Sequence, residues 1–290
     1  MNFEESTNRI CIGRFEFAIP AGLRIEGRSQ SIYRVDVHTV DVPYGAVDAR
    51  WVARVSAVRS MAAPPGAKDR IIRTYDLQPG TRAVWLYDNS EFTDVLRLEA
   101  WRPVSDHIFV ASTSGDDERQ SVIETLVQNV VNAYAPEARE GFCVEHGTVT
   151  SEPGHNESTA STFKHTTLPN FEMNFITQTV KDPAPSDELS DRRELDTVLG
   201  ARGAQITSIS SASRVAARLD GFEERFSVVP KTEPPFVRFS WKYPGQPLRG
   251  DTPQITVIAV APKEQQVHLT LAWEQLLGSL KPVPMAKVGR

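Results

Sequence analysis

The chain has 290 residues, 40% hydrophobic and 24% charged, with 32 Lys and Arg against 37 Asp and Glu. That is globular composition, long enough to bury one large core or two moderate ones. A net charge of −5 disfavours a broad non-specific grip on nucleic acid or an anionic membrane, and no apolar run reaches the length of a membrane span.

From Arg9 to Ile19 apolar residues recur with strand density until Pro20-Ala21-Gly22 ends the run. Ser31 to Val42 alternates: Tyr33, Val35 and Val37 share one face, Arg34, Asp36 and His38 the other, and Pro43 stops the strand. Between Ala46 and Ala62 the period changes. Val47, Trp51, Val55, Val58 and Ala62 fall three and four apart, predicting an amphipathic helix ended by Pro64-Pro65-Gly66. Four β-rich runs follow, at 71–75, 83–87, 95–101 and 107–112, punctuated by Pro79-Gly80, Asp88-Asn89-Ser90 and Pro103 as in an antiparallel meander. Ser114 is placed to cap a second helix, with Asp116, Asp117 and Glu118 on its first turn. Val122, Leu126, Val130 and Tyr134 form its expected stripe, widened by Ile123, Val127 and Val131, and Ala135-Pro136 closes it.

A strand over 142–150 leads into the polar loop Ser151–Ser158, then β runs at 159–166 and 171–180. Ser186 is the expected cap of a third helix, with Asp187 and Glu188 on its first turn, Leu189, Leu195, Val198 and Leu199 on its apolar face and Gly200 at its exit. The basic cluster within it, Asp191-Arg192-Arg193-Glu194, is flanked by acids and reads as a solvated face. Strands at 205–209, 214–219, 223–229, 236–243 and 254–261 precede a last helix carrying Leu269, Trp273, Leu276, Leu277 and Leu280, ended by Pro282. Each half thus runs strand, helix, several strands, closing helix. The pattern predicts an α+β protein of two domains, 1–138 and 139–290, each an antiparallel sheet backed by helices, with the seam at Ala135–Gly141.

Strong catalytic signatures are absent: no G-x-S-x-G elbow, Walker loop, G-x-G-x-x-G or H-E-x-x-H occurs. Cys143 and His146 lie three apart on a strand, so thiol and imidazole point to opposite faces. Asp36 and His38 share a wet face, where solvation explains them. His146, His155 and His165 have no metal-site spacing, and capping accounts for Asp116-Asp117-Glu118. Arg238, Phe239, Trp241 and Tyr243 mix a cation with aromatics, but Phe239, Trp241 and Tyr243 at i, i+2 and i+4 read as a core stripe rather than a base-stacking surface. No cofactor and no metal is expected. Proline-stiffened loops at Pro64-Pro65-Gly66, Gln78-Pro79-Gly80, Pro153-Gly154-His155 and Tyr243-Pro244-Gly245 through Arg249-Gly250-Asp251 suit either hairpin connection or recognition.

Cys11 and Cys143 are the only cysteines, one near the start of each half. Spacing leaves two states open: buried free thiols, the usual state of unpaired strand cysteine, or a bond closing a loop of over a hundred residues, worth roughly 5 kcal/mol in the chain-entropy model. The segment Met1–Ser6 has neither the basic start nor the apolar stretch of a secretion signal. That leaves a cytoplasmic protein, or one whose export signal has been removed.

The run Cys11-Ile12-Gly13-Arg14 continuing through Phe15-Glu16-Phe17-Ala18-Ile19-Pro20 is similar to the start of the immunity proteins that neutralise type VI secretion lipase effectors. Gly141-Phe142-Cys143-Val144 resembles the opening of their C-terminal domain, and the run from Arg214 to Glu224 its hairpin, with Ala217-Arg218 where a glycine is expected. Phe239-Ser240-Trp241 with Gly245, and the closing run Leu276 to Pro282, complete the resemblance in the family's order. The resemblance implies a periplasmic, non-enzymatic protein that binds a phospholipase effector and occludes its active site. It implies no nucleic-acid or small-molecule partner, and membrane contact only through an N-terminal anchor of the family's kind. An oxidising periplasm implies a Cys11–Cys143 bond. Partner-binding residues are expected on the loops, at His155, Tyr243, Gln246, Arg249 and Asp251. The competing readings are a hydrolase with an unfamiliar site and a cytoplasmic adaptor.

Overall fold

The computed structural model describes residues 7–43, 45–184 and 190–285. Strands β1 (Thr7–Ile12), β2 (Phe15–Pro20), β3 (Leu23–Ile32) and β4 (Val35–Asp41) lead to helix α1 (Val47–Arg59). Strands β5 (Ile71–Gln78), β6 (Thr81–Tyr87), β7 (Val95–Val104) and β8 (His107–Asp116) precede α2 (Gln120–Ala133). Short strands β9 (Tyr134–Pro136), β10 (Phe142–Val144) and β11 (Gly147–Val149) come next, then β12 (Glu157–His165), β13 (Glu172–Gln178) and α3 (Arg192–Val198). The chain finishes with β14 (Gln205–Ala216), β15 (Leu219–Val229), β16 (Phe236–Tyr243), β17 (Gln254–Pro262), α4 (Gln266–Ser279) and β18 (Lys281–Pro282).

The chain folds into two compact units. One gathers residues through Ser29 with Pro153–Pro284; the other gathers Gln30–Glu152. The seam expected at 138/139 falls inside the second of these, within the small sheet β10-β11-β9.

In the first unit, strands run in the order β14-β15-β16-β17-β13-β12-β3, with β14 outermost. Strict alternation on β16 and β17 sends Val237, Phe239, Trp241, Ile255, Val257 and Ala259 into one core. Helix α4 covers that face through Leu269, Trp273, Leu276 and Leu277, as their spacing predicts. Phe15 and Phe17 of β2 enter the same core and meet Phe175 and Phe163. The β1-β2 hairpin also pairs with β18, Glu16 opposite Lys281 and Phe15 opposite Pro282, and the Val283 N–H donates to the Arg14 carbonyl at 2.8 Å. On the opposite face, Leu195 of α3 packs on Phe226 and Val228 of β15. The expected cap Ser186, with Asp187, Glu188 and Leu189, lies outside the described residues. Gly203 rather than Gly200 takes the left-handed conformation after α3, at φ 80°.

In the second unit the order is β4-β8-β7-β6-β5. Both faces are covered. Helix α2 packs with Val35, Val37, Trp85, Leu98, Phe109 and Ala111 on one, and α1 lies over Trp101, Ile108, Val110 and Leu86 on the other. That double burial is why β6 and β8 read as continuous apolar runs. Three expectations are corrected here. Ser114 caps nothing: it sits in β8 opposite Arg97, and α2 begins only at Gln120 after a 3-10 turn. The buried face of α2 is Ile123, Val127, Val130 and Val131, while Val122 is exposed. Tyr33 and Arg34 are not strand residues but the turn between β3 and β4, both at positive φ.

Candidate functional site

Two of the loops singled out by sequence come together in the first unit. The Pro153–His155 loop precedes β12, and the 244–253 loop joins β16 to β17. His155 donates from Nδ1 to the Leu248 carbonyl at 2.5 Å, and the Leu248 N–H donates to the Val180 carbonyl at 2.7 Å. Gly250 lies so close that a Cβ there would stand 2.7 Å from the Gly154 carbonyl oxygen and 2.9 Å from Glu157 Oε2. Only glycine permits that approach.

Beneath the contact lies a buried ion pair. Arg14, from the β1-β2 turn, grips Glu157 at the start of β12 with two bonds, Nε to Oε2 at 2.9 Å and a terminal nitrogen to Oε1 at 2.6 Å. Both residues are 5% exposed. Glu157 Oε1 also accepts the Gly154 N–H at 2.7 Å, so the same carboxylate that neutralises Arg14 holds the loop.

The exposed rim carries His155, Gln246 and Arg249, with Arg249 paired to half-buried Asp251 through two bonds. That pairing holds the Asp251 carboxyl below its ordinary range. Tyr243 differs from the others: it keeps 8% exposure and belongs to the core, where burial pushes its phenol up. The tip itself is Gln246-Pro247-Leu248-Arg249, closed by the Arg249 N–H to the Gln246 carbonyl at 3.4 Å. Proline followed by a residue at positive φ, here Leu248 at 56°, is the type II turn pattern. Leu248 is 43% exposed. Neither it nor the Arg14–Glu157 support was singled out from the sequence.

Elsewhere, Phe239 and Trp241 are core residues, as their alternation implied. Neither cysteine is a free thiol, so Cys143 is no nucleophile for His146, whose ring stacks on His107 at 4.7 Å. Asp36 and His38 lie on the exposed side of β4. His165 Nδ1 accepts the N–H groups of Thr167 and Leu168. Among the described residues no group of three metal-ligating side chains occurs, and no helix is long and apolar enough to cross a membrane.

Residues 136–282 match the family model described as the Tle cognate immunity protein 4 C-terminal domain. The chain belongs to that family. Both loops of the cluster fall inside the matched segment, whereas Arg14 lies outside it. No curated protein matches this chain. Among solved structures it is similar to the crystal structure of the Tle4–Tli4 complex, at TM-score 0.80 and 12% identity over 98% of this chain and 100% of the other. It is also similar to the apo immunity protein TplEi from Pseudomonas aeruginosa, at TM-score 0.77 and 13% identity over 97% and 99%. TplEi complexed with an "L" peptide gives TM-score 0.72 and 14% identity over 96% and 98%. At such identities these likenesses speak to the fold.

Proposed function

We propose that this chain is an immunity protein that binds a type VI secretion lipase toxin stoichiometrically and keeps substrate from its active site. The match of residues 136–282 to an immunity-protein family carries the reading. The similar structures agree with it, since Tli4 is held in a complex with Tle4 and TplEi with a peptide. Inhibition of this kind needs no reactive group. It needs a rigid, complementary surface with a few anchors, so that little entropy is lost on docking. The braced loops suit that task, with His155, Gln246, Arg249 and Asp251 at the contact and Tyr243 supporting them from the core.

We further place the protein in the periplasm, with Cys11 bonded to Cys143; the absence of a free thiol supports this. A functional division at 138/139 into an N-terminal and an immunity domain remains part of the proposal, supported by a family match that begins at residue 136. The test is a pull-down with a type VI secretion lipase of the Tle4 kind, the partner in the similar complex, then a phospholipid hydrolysis assay at equimolar mixing. Co-purification and loss of hydrolysis are expected. Full lipase activity with the protein in excess would overturn the reading, as would ester hydrolysis by the repurified protein alone.

A further inference from the structure

Position i+2 of a type II turn demands positive φ, and glycine meets the demand without strain. Here the residue is Leu248, at φ 56°. It is the one bulky aliphatic side chain among the described non-glycine residues with positive φ, the others being Tyr33, Arg34, Ser105, Glu137, Asn170, Ala217 and Arg218. A β-carbon in this region carries a conformational cost. The fold recovers little of it by burial, because the side chain is 43% exposed. The backbone is nonetheless held from both sides, the N–H by Val180 and the carbonyl by His155. Arg14 and Glu157 fix the neighbouring loop from below. A strained residue that is over-determined by its surroundings, with its apolar side chain turned to solvent, points to a role outside the chain.

We propose that Leu248 is a pre-positioned anchor that inserts into an apolar cleft of the lipase partner, with the Arg249–Asp251 pair forming the polar rim around it. An exposed aliphatic group beside a single ion pair is complementary to a small hydrophobic pocket with a wet margin, the arrangement that concentrates binding energy in few residues. A lipase must present such a cleft to take up an acyl chain. This inference rests on the immunity reading and adds the contact.

The test separates fold from binding. Leu248→Gly removes strain and side chain together. Leu248→Asn keeps a side chain that tolerates the left-handed region but is polar. Leu248→Met keeps an apolar group of similar reach. Each full-length variant is melted and titrated against the same Tle4-type lipase. Leu248→Gly and Leu248→Asn are expected to keep or raise the melting temperature while weakening binding at least about tenfold. Leu248→Met is expected to bind within about threefold of the parent. Undiminished binding by both polar-or-glycine variants, beside a parent that binds, overturns this inference alone; a lowered melting temperature in both does so too, by showing that Leu248 serves the fold. A parent chain that does not bind the lipase overturns the immunity reading and this inference together.

Discussion

Arg14 and Glu157 are 143 positions apart and form one of the most enclosed ion pairs in the chain. Removing one partner of such a pair strands a charge away from water. Arg14→Ala is therefore expected to cost about 3–5 kcal/mol in a denaturant melt and to loosen the Pro153–His155 loop; an unchanged midpoint would refute the role given to the pair. Asp191 makes a second case. Its side chain is fully buried, which pushes its carboxyl up, but Lys242 and Arg238 outweigh burial and hold it below the ordinary value. A carboxyl depressed in the folded state contributes stability that is complete above its unfolded value, about 3.9, and is lost as pH falls through the lower folded value. The stability difference between the parent and Asp191→Asn should then be full near neutrality and shrink below about pH 4. Melts across that range check it, and a gap that stays constant would show that the charge contributes nothing. The pairing of Arg14 with Glu157 was not legible in the sequence, because nothing local marks two residues that meet only after the sheet has formed.

At the scale of elements, what the sequence reveals follows burial. Helix α4 and strands β16 and β17 are readable because one face of each is buried, so periodicity reports it directly. Strand β3 escapes the same reading: in Leu23-Arg24-Ile25-Glu26-Gly27-Arg28 only Leu23 is fully buried, Ile25 is half-buried, and the alternation stops at Gly27. Sequence spacing divides the β14-β15 hairpin into three runs, because Ser210 to Ser213 look like loop, whereas the ladder runs from Gln205 opposite Val229 to Ala216 opposite Leu219, with a bulge after Ser208. Its turn is Ala217-Arg218, both at positive φ, 54° and 63°. A two-residue hairpin of that kind prefers Asn-Gly. Replacing the pair by Ala217→Asn with Arg218→Gly should stabilise the protein by about 1 kcal/mol, seen as a melting temperature higher by about 2–4 °C. A lower melting temperature would mean that these side chains hold the turn in some other way. The expectation of a glycine there was thus sound geometry, even though this chain bears the turn without one.

For the whole molecule, the proposed Cys11–Cys143 bond is the feature that a single measurement decides. Intact mass should rise by two hydrogens on reduction, and the reduced protein should melt earlier, by up to about 5 kcal/mol on the chain-entropy model. A mass that does not change would refute the bond. Class and general order of elements were readable in advance because hydrophobic spacing encodes them. The grouping of Leu23 to Ser29 with Pro153 to Pro284 was not, because strand order is a long-range property that no window of sequence displays.

Strand β18 pairs with β2, and Val283 bonds the Arg14 carbonyl next to the residue that underpins the loop cluster. During synthesis, then, the early hairpin must wait for residues 281–283 to leave the ribosome before its outer edge is sealed. Until that moment the support under Leu248 is incomplete. A product interrupted before residue 280 would hold every loop residue of the cluster and still lack the Val283 bond to the backbone of Arg14.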